Sequence, residues 1–178
     1  VSTATVVEGI LSLITNNAKN DRNKLHSISI EKRNRRDLDI DTFGDIPPFR
    51  KLFLSTEHDI DIFKTIVNFF NAVQNLFWND LPDGTKSLIR KTAGIQALFF
   101  ILKKLLPEQL DKGDLRQEKW KDLLQKAILL DWNQTMFTES SGKGKGRIQD
   151  AILVAIGKKE INSVKDESLR KYLASVLH

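Results

Sequence analysis

The sequence contains no cysteine. Disulfides, thiolate nucleophiles and cysteine-based zinc sites are therefore excluded, and a reducing compartment such as the cytoplasm is the expected setting. No apolar run approaches the ~18 residues that a membrane span needs, so no membrane partner is expected. The run Ala97 to Leu102 stops at Lys103-Lys104. No signal-peptide pattern opens the chain, which begins Val1-Ser2-Thr3 and enters an apolar pattern at once. This start reads as a fragment or a processed product. Histidine is scarce: His26, His58 and His178 form no H-x-x-x-H or H-E-x-x-H frame. No G-x-S-x-G elbow is present, which removes the usual serine-hydrolase signal.

Two short segments imitate metal sites. Glu57-His58-Asp59 are consecutive at a helix start, so their side chains diverge instead of meeting on one ion. Asp37-x-Asp39-x-Asp41 opens like a calcium loop. Its sixth and twelfth positions are Thr42 and Pro48, where glycine and a bidentate glutamate are required. The expectation is no cofactor, no catalytic metal and no enzymatic centre in this chain.

What remains is a globular composition, 40% apolar and 29% charged over 178 residues, with a net charge of +5. This suits one domain, residues 1–178, with a sizeable core. The charge is unevenly placed. Residues 19–36 hold seven Lys/Arg against Asp21 and Glu31, and residues 37–62 hold seven acids against Arg50 and Lys51. The two blocks either neutralise each other or mark a partner surface.

Helical periodicity dominates the pattern. Thr5 and Glu8 have capping-box spacing before Val6, Val7, Ile10, Leu11, Leu13 and Ile14, with an end at Asn16-Asn17. Ile28 and Ile30 alternate with polar residues, which leaves room for one short strand or hairpin near 25–50. A long helix is expected over 57–77 on a wide apolar stripe, capped by Ser55 or Thr56. A second is expected over 86–106, with Pro107 beyond its end. Gly94, in mid-helix, points to close approach of another helix at the crossing of these two, or of a third. Asp114 with Gln117 starts a helix reaching Leu130, with Trp120, Leu123, Leu124, Ala127 and Ile128 inward. Arg147–Lys158 forms the next, and Ser163 with Asp166 starts the last, to Val176. The fold class is mainly α, an orthogonal or antiparallel bundle of about six helices.

The strongest local signal is Ser140-Ser141-Gly142-Lys143-Gly144-Lys145-Gly146-Arg147. Alternating glycines let backbone N–H groups turn to an anion, the cations attract it, and a helix N-terminus follows. The spacing fits neither the P-loop nor the dinucleotide fingerprint. The candidate anion-binding residues are Ser141, Gly142, Lys143, Gly144, Lys145 and Arg147, with Arg33, Arg35 and Arg36 as a second basic group. A mobile solvated connector would also explain the segment. Trp132, close by in sequence, is the one aromatic considered for a ligand surface. The others fall at core spacing.

Several segments carry a family likeness: Val1 to Gly9 with Asn20-Asp21-Arg22, Phe70-Asn71-Ala72-Val73 with Trp78, Lys91 to Leu98, and Ser141-Gly142-Lys143-Gly144. Together they resemble the C-terminal region of DGQHR-domain proteins, the DndB-like group associated with DNA sulfur modification and bacterial defence islands. The signature naming that family is absent from this chain; in such proteins it belongs to an upstream ParB-like portion. The resemblance implies a C-terminal fragment of a larger DNA-binding protein, with Gly142, Lys143 and Gly144 as the transferable contact motif. The expected function is a non-enzymatic helical module that touches the DNA phosphate backbone. The alternatives are a protein-interaction or self-association scaffold, and part of an enzyme whose chemistry lies upstream.

Overall fold

The computed structural model describes residues 1–32, 34–35, 38, 46–82, 84–138 and 143–177. Helix α1 (Thr3–Ile14) begins one turn earlier than the Thr5–Glu8 box implies. Ser2 is the cap, its Oγ accepting from the Thr5 N–H at 3.3 Å. Asn17 does not merely end α1; its Oδ1 accepts from the Asn20 N–H and starts α2 (Ala18–His26). That helix is almost wholly polar and buries no residue. Ile28 sits in a bend and Ile30 in a 3-10 turn (Ile30–Lys32), so no strand forms here among the described residues. Two alternating isoleucines set in a bend and a turn do not make a sheet.

A short helix, α3 (Arg50–Phe53), is strapped to α1 by the Phe49 N–H donating to the Leu13 carbonyl at 2.8 Å. Helix α4 (Asp59–Val73) follows a 3-10 turn and ends in a π-helical turn (Gln74–Trp78). Its buried face is Ile62, Thr65, Phe69, Ala72 and Val73. The other half of its wide stripe points outward: Ile60 is 64% exposed and Phe63 66%.

Helix α5 (Thr92–Lys112) is the centre of the core. It runs through Pro107 to Gly113, whose left-handed conformation (φ 68°) stops it. Pro107 therefore lies inside the helix, not beyond it. Proline removes the N–H that would bond the Lys103 carbonyl, and Lys103 and Pro107 both line a surface groove. Helices α6 (Gln117–Leu124), α7 (Thr135–Thr138), α8 (Gly144–Ala155) and α9 (Glu167–Val176) complete the described elements. After α6 a 3-10 turn (Gln125–Leu129) leaves Ile128 about half exposed, so it is not inward as its spacing implied. Asp166 caps α9 itself, its Oδ1 accepting from the Leu169 N–H at 3.1 Å, while Ser163 belongs to a preceding 3-10 turn.

Helix α5 packs chiefly on α1 and α8, and α4 chiefly on α6. The expected α4–α5 pairing is limited; Phe70 and Phe99 bridge the two helices with ring centroids 4.9 Å apart. Gly94 does make a close approach, though to a turn, not to a crossing helix. A Cβ there would overlap the Leu88 and Ile89 carbonyls of the 3-10 turn Leu88–Arg90. The glycine at a helix crossing is Gly9, where a Cβ would overlap the Phe99 ring.

Candidate nucleic-acid interface

Gly144 and Gly146 do not form a loop ahead of the helix. Helix α8 starts at Gly144, three residues before the expected Arg147, so Gly144, Lys145 and Gly146 are its first turn. The first helical bond, from the Arg147 N–H to the Lys143 carbonyl, is 3.0 Å. The preceding first-turn N–H groups have no acceptor within the helix and give that end its partial positive charge. Burial of Ile148, Ala151 and Ile152 against α5 holds the glycines helical despite their low propensity. Gly144 is buried, whereas Lys143, Lys145 and Gly146 are exposed. Ser141 and Gly142 lie outside the described residues.

Arg147 is committed to the fold. Its Nε donates to Asp166 Oδ2 at 2.8 Å and its Nη1 to the Met136 carbonyl at 3.4 Å. It thus ties the starts of α8 and α9 to α7. The Leu169 N–H and the Arg147 guanidinium bonding to Asp166 hold its carboxyl below the usual range. Lys143 and Lys165 line one groove beside this tie. Asp150 in the same groove is taken by Lys159 at 2.6 Å. On the other side of the α8 N-terminus, Lys145 and Lys103 line a second groove between α1 and α5. Among the described residues, none of Lys143, Lys145, Lys103 and Lys165 makes an ion pair. Lys103 and Lys165 were missed by the sequence reading, because their approach to α8 is a tertiary event with no local signature.

Of the second basic group, Arg35 is the described member. Arg35 donates from both Nη atoms to Asp59, each at 2.8 Å, and its guanidinium lies 4.7 Å from the Phe53 ring centre. Arg33 and Arg36 lie outside the described residues. The opposed charge blocks do meet within the chain, through Arg35–Asp59 and through Arg50–Asp21. His58 Nδ1 lies 3.2 Å from Asp61, and Asp59 belongs to Arg35, so Glu57-His58-Asp59 do not act together. Trp132 is a core residue, packed between Phe77 and Phe137 and 5% exposed.

Nothing surrounds the position a Cβ would take at Gly146. Gly146→Ala is therefore expected to raise stability, by about 0.5–1 kcal/mol, through helix propensity alone. Urea unfolding checks this; a loss of stability would mean that the first turn needs glycine for the fold.

No family model, curated protein or solved structure matches this chain. Function rests on the residues themselves. No helix is long and apolar enough to cross a membrane among the described residues.

Proposed function

We propose that this chain is a non-enzymatic helical module of a DNA-associated protein of the cytoplasm. It contacts the phosphate backbone through the N-terminal end of α8. The observation carrying this reading is the placement of Lys143 and Lys145, exposed and without ion-pair partners among the described residues, at the positive end of a 12-residue helix. Lys165 and Lys103 extend the charge to either side. Phosphates favour helix N-termini flanked by cations, and such contacts hold a duplex without reading its sequence. The likeness to DndB-like proteins over Ser141-Gly142-Lys143-Gly144 supports the same partner.

Lys143→Ala with Lys145→Ala is expected to leave the melting temperature unchanged or slightly raised, since cations oppose the helix dipole there. The same pair should weaken duplex binding at low salt by about tenfold. Arg147 is not altered, because its loss would break the tie to Asp166 and confuse folding with binding. Binding equal to that of the parent would reduce the segment to a connector.

A second reading has its own observation. Ile60, Phe63 and Val67 form an exposed apolar row along α4, at spacings of three and four residues. Such a row suits protein contact or self-association. It would show as a mass that rises with concentration and does not respond to DNA.

A further inference from the structure

Helix α2 lies against the body of the protein without closing onto it. It buries no residue, and its sequence, Ala18-Lys-Asn-Asp-Arg-Asn-Lys-Leu-His26, offers Leu25 as its only large apolar side chain. The gap behind it is a cavity of about 330 Å³. Leu11 and Ile14 of α1 form one wall, Leu25 of α2 another, and Leu38 and Phe53 complete the apolar lining. A cavity of this size and lining lies in the range that holds small molecules.

The walls are fixed from outside. The Arg35 guanidinium covers the Phe53 ring, and Arg35 is itself held by Asp59. Asp21, which also lines the cavity, is satisfied by the buried Arg50 and by Thr15. With its charge balanced, that carboxylate does not call for a cation. Arg22 is the next residue on α2; it is exposed, lines the cavity and makes no ion pair among the described residues. The site therefore offers an apolar interior, a neutralised ion pair in its wall and one available guanidinium. A guanidinium matches the two oxygens of a planar carboxylate with paired donors.

We infer that this cavity binds a small apolar molecule carrying one anionic group, with the apolar part between Leu11, Leu25 and Phe53 and the anion on Arg22. It is separate from the α8 surface and does not depend on the DNA reading.

Decanoate and decanol are suitable probes, followed by methyl NMR of isoleucine and leucine in the full chain. Decanoate is expected to saturate at one equivalent, with shifts concentrated at Leu11, Ile14, Leu25 and Leu38. Arg22→Ala should weaken decanoate about tenfold and leave decanol unchanged, the value of one charge-assisted contact. Ala18→Phe, which fills the cavity from the start of α2, should abolish both. The parent shift map stands independently of whether that variant folds. Shifts centred on Ile60 and the α4 row, or no saturation at millimolar decanoate, would overturn the site. Equal loss of decanoate and decanol in Arg22→Ala would overturn the anionic assignment. Lys143→Ala with Lys145→Ala should bind decanoate as the parent does.

Discussion

Arg50→Ala is expected to cost about 3–5 kcal/mol, the usual loss when one partner of a buried ion pair is removed. The Arg50 side chain is 1% exposed and that of Asp21 19%. Nη1 and Nη2 donate to the two carboxylate oxygens, at 2.5 and 3.1 Å. This fork tethers α2, which has no buried side chain of its own. Burial pushes the Asp21 carboxyl upward. Hydrogen bonds from Arg50 and Thr15, with the charges of Arg50 and Lys24, outweigh that and leave it lowered. A lowered carboxyl contributes stability that is present above the unfolded pKa, near 3.9. That contribution is lost as pH falls through the folded value. In Arg50→Ala the opposing hydrogen bond and charge disappear, so the Asp21 pKa should rise. The deficit should then be largest near neutrality and shrink as the carboxyl protonates. Urea unfolding at pH 7 and pH 4 measures both. A neutral-pH loss under 1 kcal/mol, or a deficit that grows in acid, would contradict the pairing. Arg50→Lys should recover only part, because an ammonium cannot present two parallel donors.

Gly94→Ala is expected to destabilise by about 2–3 kcal/mol, although alanine is the better helix former by ~1 kcal/mol. The new methyl would meet the carbonyls of Leu88 and Ile89. Both residues are buried, at 4% and 0% exposure, so the turn has nowhere to retreat. Gly9→Ala meets the Phe99 ring instead. That ring is 2% exposed and packed on Phe70, yet a side chain can pivot where backbone cannot. The expected order is a larger loss at Gly94 than at Gly9, read from chemical melts of the two variants. The reverse order would mean that the Leu88–Arg90 turn yields more easily than the α1–α5 crossing.

These sites show how far the sequence could be read. Gly94 was legible as a close approach because a glycine in mid-helix costs stability that packing must explain. What approaches it was not legible, since a 3-10 turn and a crossing helix leave the same mark. The 57–77 stripe marked α4 clearly. It could not say that Ile62, Phe69 and Val73 face the core while Ile60 and Phe63 face outward, because both rows obey the helical period. Pro107 misled for a physical reason: proline breaks one bond, and a helix anchored by buried Leu105 and Leu106 before it and by buried Gln109 after it tolerates that at its exposed face. Helix α2 has no apolar period at all, so only Asn17 as a cap could have announced it.

The same limit applies to charge. The sequence gathered Lys143, Lys145, Arg147, Arg33, Arg35 and Arg36 by composition. Folding spends Arg147 on Asp166 and Arg35 on Asp59, partners 19 and 24 residues away. It brings Lys103 toward α8 from α5 and Lys165 from the connection ahead of α9. Arg50, the most buried charge described, drew no notice in the sequence beyond its place in an acidic block.

The most direct test of the DNA reading is the salt dependence of duplex binding by the unaltered chain. With Lys143, Lys145, Lys103 and Lys165 each neutralising a phosphate, the logarithm of the binding constant should fall against that of salt with a slope of about −3 to −4. The slope should be the same for duplexes of unrelated sequence, because phosphate contacts carry no base readout. No measurable binding at 50 mM salt (about 10⁻⁴ M or weaker, the edge of non-specific association), or binding indifferent to salt, would contradict it.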